Sequence, residues 1–162
     1  MSKLKTVFVD RDGVINQERS DYVKSISELE IYPNVAKNIK LLKDAGFLVI
    51  VITNQSAVNR GIVTHEMINQ IHNSIQDHLK KYGTFLDGFY YCPHTPDENC
   101  NCRKPKPGLL QKAILELNID LNSSWMIGDS DSDIEAADSV GCKAIKINDN
   151  FSLDNAVEKI LN

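Results

Sequence analysis

The sequence has no apolar run approaching the roughly twenty residues that a bilayer-spanning helix needs. Met1 to Lys5 carries two lysines, but the apolar run behind them breaks at Asp10, too early for a signal peptide. The expected address is therefore the cytoplasm. Basic charge is also scarce: 18 Lys and Arg against 22 Asp and Glu give a net charge of -4 and a pI near 5.5. A face for nucleic acid or anionic lipid would need a basic stripe, so neither partner is expected. Repeats, low-complexity tracts and linkers are missing too. The 162 residues, 42% hydrophobic and 25% charged, read as one soluble domain spanning 1–162, expected to be a monomer with a small-molecule partner. The four cysteines, in a reducing compartment, point to free thiols or a metal rather than disulfides.

What is present alternates. Leu4 to Val9 and Phe47 to Ile52 read as buried strands, with shorter candidates at Asp87–Tyr91, Ser124–Ile127 and Ala144–Ile147. Helical patterns fall between them. Asn34 caps one that Gly46 closes, and Thr64 caps one with an Ile68, Ile71, Ile75, Leu79 stripe. Pro107 opens a third, Ser130 or Asp131 starts one ending at Gly141, and Leu153–Leu161 is the last. This order predicts an α/β fold: a Rossmann-like, three-layer arrangement with a parallel sheet between helices. Such sheets place their sites outside the carboxyl ends of the strands.

Chemistry-bearing residues gather at those ends. Asp10 and Asp12 follow the first strand, and carboxylates two residues apart can face one way and share a cation. Mg²⁺ prefers oxygen ligands, and a carboxylate can also attack a phosphoryl group while a second moves the proton. Thr53, Asn54, Gln55 and Ser56 end the second strand with hydroxyls and amides suited to phosphate oxygens. Asp129, Asp131 and Asp133 end the fourth with further metal carboxylates.

The loop "YYCPHTPDENCNCRKPKPG" holds Cys92, His94, Cys100 and Cys102, one nitrogen and three sulfur ligands, which is a full tetrahedral Zn²⁺ set with no open position. The expected role is structural: binding free energy becomes local folding free energy. Arg103 and Lys104 leave the last ligand directly, so fixing Cys102 fixes where those cations point.

The four segments together resemble, in order, the motifs of the haloacid dehalogenase superfamily of phosphatases. The resemblance implies Asp10 as nucleophile, Asp12 as general acid/base, Thr53 as the hydroxyl steadying the phosphoryl group and Lys104 as its counter-charge. It implies Mg²⁺ on Asp10, the backbone carbonyl of Asp12 and Asp129. With the zinc loop, "DRDG", "TNQ" and "CRKP" are similar to a subgroup that joins heptose bisphosphate phosphatases to histidinol phosphatases. "TNQSAVNRG", with Arg60, leans toward the former, whose reaction would release the 7-phosphate of the sugar on the route to nucleotide-activated heptose for surface glycans. On that resemblance Arg103 reads the substrate. No room remains for a separate cap domain, so loops shape the pocket, chiefly Gln17 to Tyr22. Glu18, Asp21, Tyr22, Asn54 and Gln55 are the expected sugar contacts, and Arg60 or Arg103 the partner of a second phosphate.

Two rivals are a nucleic-acid end phosphatase, opposed by the acidic balance, and an inert zinc-stabilised binding module. The latter is expected to lose Asp10, Asp12 or Lys104, and all three are present. Other residues have structural readings. His65, His72 and His78 are expected at or near the surface and on no common face, Cys142 in the core, and Trp125 against a helix.

Overall fold

Five short runs of β-branched and apolar residues make one sheet in the computed structural model, which describes residues 2–162. They are β1 (Thr6–Val9), β2 (Leu48–Asn54), β3 (Gly88–Cys92), β4 (Trp125–Gly128) and β5 (Lys143–Lys146), in the order β3-β2-β1-β4-β5. All pairings are parallel, so every strand delivers its carboxyl end to one edge. The helices between them are α1 (Val35–Asp44), α2 (His65–Lys80), α3 (Gly108–Leu117), α4 (Asp131–Ser139) and α5 (Leu153–Leu161).

The two-residue period of a strand sorts the core into two layers. Val7, Val9, Val49 and Val51 face one way, onto the apolar stripes of α1, α2 and α5. Phe8, Ile50, Ile52 and Met126 face the other, onto α3 and α4. Each such fully buried side chain contributes roughly 1.5–3 kcal/mol of transfer free energy. The three-layer α/β arrangement expected from the alternation is the one observed.

Chain order then makes a crevice. The chain steps from β1 out to β3, returns, and lays β4 on the other flank of β1. Connections leave β1 and β4 in opposite directions, opening a gap outside their carboxyl ends. A single 3-10 turn, Ile26–Glu28, is the regular structure between β1 and α1, so nothing the size of a cap domain covers the gap there.

The boundaries moved where tertiary pairing decides them. Leu4 lies outside β1, making only an isolated bridge to Ile119. β2 runs two residues past Ile52, and its last pair, Thr53 and Asn54, register with Tyr91 and Cys92 of β3. Those two residues therefore sit on a strand rather than a loop. The caps hold: Thr64 Oγ1 accepts from the Met67 N–H, and Ser130 with Asp133 forms a capping box on α4. Cys142 is buried beside α4, and Trp125 packs into the layer that contains α5. Among the described residues no helix is long and apolar enough to cross a membrane.

Candidate active site

The crevice is a cavity of about 550 Å³ at the carboxyl edge of the sheet. Asp10, Asp12, Thr53, Asn54, Gln55, Ser56, Lys104 and Asp129 all line it, with Glu18, Tyr22, Arg60 and Arg103 from the surrounding loops. Residues more than a hundred positions apart thus share one site because their strands end side by side.

Asp10 leaves β1 with its backbone N–H bonded to the Ile127 carbonyl of β4. Its Oδ1 accepts from the Arg11 N–H at 2.8 Å and from Lys104 Nζ at 3.0 Å. The same ammonium donates to Asp133 Oδ1 at 2.5 Å and to the Ile52 carbonyl at 2.7 Å, so all three of its protons are placed. Burial would lower the Lys104 pKa, but Asp10 and Asp133 outweigh it and hold the ammonium charged. Burial pushes the Asp10 carboxyl up to about 7, with Asp133 and Asp12 adding to the rise and Lys104 opposing it.

Asp12 is held differently. Its Oδ1 accepts from Arg11 Nη2 and from Asn16 Nδ2, both at 3.0 Å, and its Oδ2 from Gln55 Nε2 at 2.8 Å. Gly13 behind it has φ +88°, and a Cβ there would overlap Asp129 Oδ2, so only glycine lets the turn pass under that carboxylate.

Carboxylate oxygens of Asp10, Asp129 and Asp133 lie within 4.8 Å of one another, a hard-oxygen cluster suited to Mg²⁺. Within it, Asp133 is committed to Lys104 and to the Ser130 hydroxyl, leaving Asp10 and Asp129 to face the cavity. Asp133 therefore belongs with the lysine rather than with the metal carboxylates of the "GDSDSD" run. Asp131, grouped with it in sequence, points to the surface and pairs with Lys146.

One expected substrate contact is corrected, and two others at the cavity have additional partners. Asp21 is not at the cavity; its exposed carboxylate pairs with Arg19 and Lys24. Asn54 spends its amide on Lys104: Oδ1 accepts from the Lys104 N–H at 3.0 Å, and Nδ2 donates to the Lys104 carbonyl at 3.1 Å. Gln55 Nε2 is taken by Asp12 and by Thr53 Oγ1. Both amides orient catalytic candidates, while Asn54 Nδ2 keeps one N–H and Gln55 keeps its Oε1 at the cavity.

The histidines also differ from expectation. His72 is buried, and seven residues apart it and His65 share a helix face against Tyr91. Arg11, given no role by the sequence, is wholly buried and bonds His72 Nε2 through Nη1 at 3.2 Å. The sequence carries no local signal for a partner 61 positions on.

The thiol loop closes on itself. Cys92 Sγ lies 3.3 Å from His94 Nδ1 and 3.6 Å from Cys100 Sγ, and His94 Nδ1 lies 3.2 Å from Cys102 Sγ. Tetrahedral zinc with Zn–S of about 2.3 Å and Zn–N of about 2.0–2.1 Å has ligand edges near 3.6 Å, so the set fits. Burial works against the Cys100 thiolate, yet backbone N–H groups of Arg103 and Cys102 pull its thiol down to about 6. Burial pushes the thiols of Cys92 and Cys102 the other way, upward, so it is metal binding that would draw all three to the deprotonated form.

Residues 101–160 match the model of the HAD-hydrolase-like family. The chain is 39% identical to the D-glycero-beta-D-manno-heptose-1,7-bisphosphate 7-phosphatase of Neisseria meningitidis serogroup A, over 86% of this chain and 75% of that protein. The chain belongs to that heptose bisphosphate phosphatase family. The Helicobacter pylori (strain J99) phosphatase of the same name is 44% identical over 82% of this chain and 76% of its own. Among solved structures, D,D-heptose 1,7-bisphosphate phosphatase from B. bronchiseptica, complexed with magnesium and phosphate, superposes with a TM-score of 0.90. It is 30% identical and covers 98% of both chains. The superposition over 98% of both chains extends to the whole five-stranded fold.

Proposed function

We propose that this chain hydrolyses the 7-phosphate of D-glycero-D-manno-heptose 1,7-bisphosphate, leaving heptose 1-phosphate. The observation that carries the reading is the ammonium of Lys104, lodged between Asp10 and Asp133 at the floor of a cavity that Asp12 also enters. Phosphoryl transfer needs charge neutralisation and in-line positioning more than covalent assistance, and this arrangement supplies both.

A carboxylate oxygen of Asp10 attacks phosphorus, forming an aspartyl-phosphate as the ester P–O bond breaks. Asp12 gives its proton to the departing sugar oxygen, then takes one from the water that attacks the aspartyl-phosphate. Lys104 and the Thr53 hydroxyl offset charge on the phosphoryl oxygens. Asp10, the Asp12 carbonyl and Asp129 would hold Mg²⁺, which when bound neutralises phosphate charge and keeps the Asp10 carboxyl ionised. Cys92, His94, Cys100 and Cys102 would hold a structural Zn²⁺.

A volume of about 550 Å³ suits a sugar with two phosphates. Half-buried Arg103 and exposed Arg60 line the same cavity and stand ready for the phosphate that does not react. Histidinol phosphate would bring an ammonium to those cations, which disfavours it. Ser56 and Glu18 remain as sugar contacts, beside Tyr22. The test is phosphate release with Mg²⁺ from both heptose bisphosphate anomers and from histidinol phosphate. Faster turnover of a heptose anomer supports the reading, and faster turnover of histidinol phosphate contradicts it.

A further inference from the structure

Asp12 is the carboxyl proposed to protonate the sugar oxygen, and its two oxygens are unequally engaged. Oδ1 accepts two hydrogen bonds, from Arg11 and Asn16, which uses both of its lone pairs. Oδ2 accepts one, from Gln55, and keeps a lone pair. The transferable proton therefore resides on Oδ2. A carboxyl whose two oxygens were equivalent would rotate and misplace that proton, and an ångström of misplacement costs a large factor in rate.

Arg11 makes the distinction, and something must hold Arg11. Its guanidinium is wholly buried, its Nε has no partner, and Nη2 is the donor to Asp12. The group can only donate, so His72 Nε2 at 3.2 Å must accept from Nη1, which fixes the imidazole as the neutral tautomer protonated at Nδ1. His72 is itself immobilised. It is 4% exposed, stacks on Phe89 with centroids 4.3 Å apart and planes 13° apart, and meets Tyr91 edge-on. Burial, then the Arg11 charge, hold its pKa at about 3, so it stays an acceptor at neutral pH.

We propose that Arg11 and His72 are positioning residues for proton transfer: His72 on α2 aims the Arg11 guanidinium so that it occupies Asp12 Oδ1 and leaves Oδ2 as the acid. The proposal rests on Asp12 being the general acid. In the step concerned the Asp10–phosphorus bond forms, the bond from phosphorus to the sugar oxygen breaks, and the Oδ2 proton moves to that oxygen.

A general acid matters for a poor leaving group and little for a good one, which separates positioning from mere structural support. The experiment compares kcat/KM for the sugar bisphosphate, whose leaving group is an alkoxide, with that for p-nitrophenyl phosphate, whose phenolate needs no proton. His72→Leu should lose roughly tenfold to a hundredfold on the sugar, part of the 10²–10⁴ that general acid catalysis supplies, and under threefold on the aryl ester. His72→Gln, whose Oε1 can accept from Arg11, should recover most of the loss. His72→Asn keeps a polar group but its shorter side chain holds the Oδ1 acceptor out of reach of Arg11 Nη1, and it should repeat the selective loss even if the leucine variant does not fold. Equal losses on both substrates, or none, would overturn the proposal. Asp12→Asn is the control: if it too loses equally on both esters, the general-acid assignment itself fails, and that result is distinguishable from a failure confined to His72.

Discussion

The side-chain amide of Asn54 grips the backbone of Lys104 at both its N–H and its carbonyl, at 3.0 and 3.1 Å. The last residue of β2 thereby holds the residue that leaves the thiol loop. Other bonds run beside it: the Gln55 N–H to the Cys92 carbonyl, the Asn59 N–H to the Pro93 carbonyl, and the Asn59 amide to Glu98. The thiol loop and the end of β2 form one unit, and Lys104 is its product at the reacting centre.

Two anchors for one lysine can be separated by mutation. Cys100→Ser should lower zinc occupancy and activity together. Asn54→Ala should leave zinc stoichiometry unchanged yet lower kcat roughly tenfold or more, since a charge placed an ångström away stabilises the transition state far less. Zinc analysis beside steady-state kinetics checks both. Full activity in a zinc-free Cys100→Ser protein would end the idea that the metal positions Lys104.

Asp10→Asn should abolish turnover and leave zinc content and folding untouched, because the amide keeps the shape but loses the nucleophilic charge. Residual turnover near that of the parent enzyme would remove Asp10 from the nucleophile role.

Much of this was legible in the sequence, and the exceptions share a cause. Period-2 and period-3.6 patterns located all five strands and helices, and the caps at Thr64 and Ser130 fell where expected, because those signals are local; Asn34 stands at the start of α1 but makes no side-chain cap bond. Asp10, Asp12 and Asp129 were visible because they come just after a strand, and Lys104 because it leaves the last ligand of the thiol loop. The roles of Asn54, Gln55, Asp133 and His72 were not, since each is defined by a partner at least 29 positions away, Asp12 for Gln55 and Lys104 for Asp133 among them. A polar side chain near a site reads as a ligand contact until its hydrogen bonds are found already used.

Gly13→Ala should raise the Mg²⁺ concentration needed for half-maximal activity. The new methyl would overlap the Asp129 carboxylate and also strain a residue at φ +88°. A magnesium titration of activity reads the effect. An unchanged midpoint would mean that Asp129 can move aside without cost.

The buried His72 predicts how stability depends on pH. Its pKa is about 3 in the fold, lowered first by burial and then by Arg11, and near 6.5 once unfolded. The unfolded chain binds the extra proton between those values, so this contribution is complete above pH 6.5 and is lost as pH falls toward 3. Unfolding free energies from denaturant titrations at pH 7 to pH 4 should decline more steeply for the parent than for His72→Gln, by a few kcal/mol in total. Parallel curves would contradict a neutral, buried imidazole.

The most direct test follows phosphorus by ³¹P NMR as the enzyme acts on heptose 1,7-bisphosphate with Mg²⁺. The account predicts that the resonance of the 7-phosphate disappears as inorganic phosphate grows, while the 1-phosphate resonance persists in the product. Loss of the 1-phosphate resonance first, or no release from either position, would contradict it.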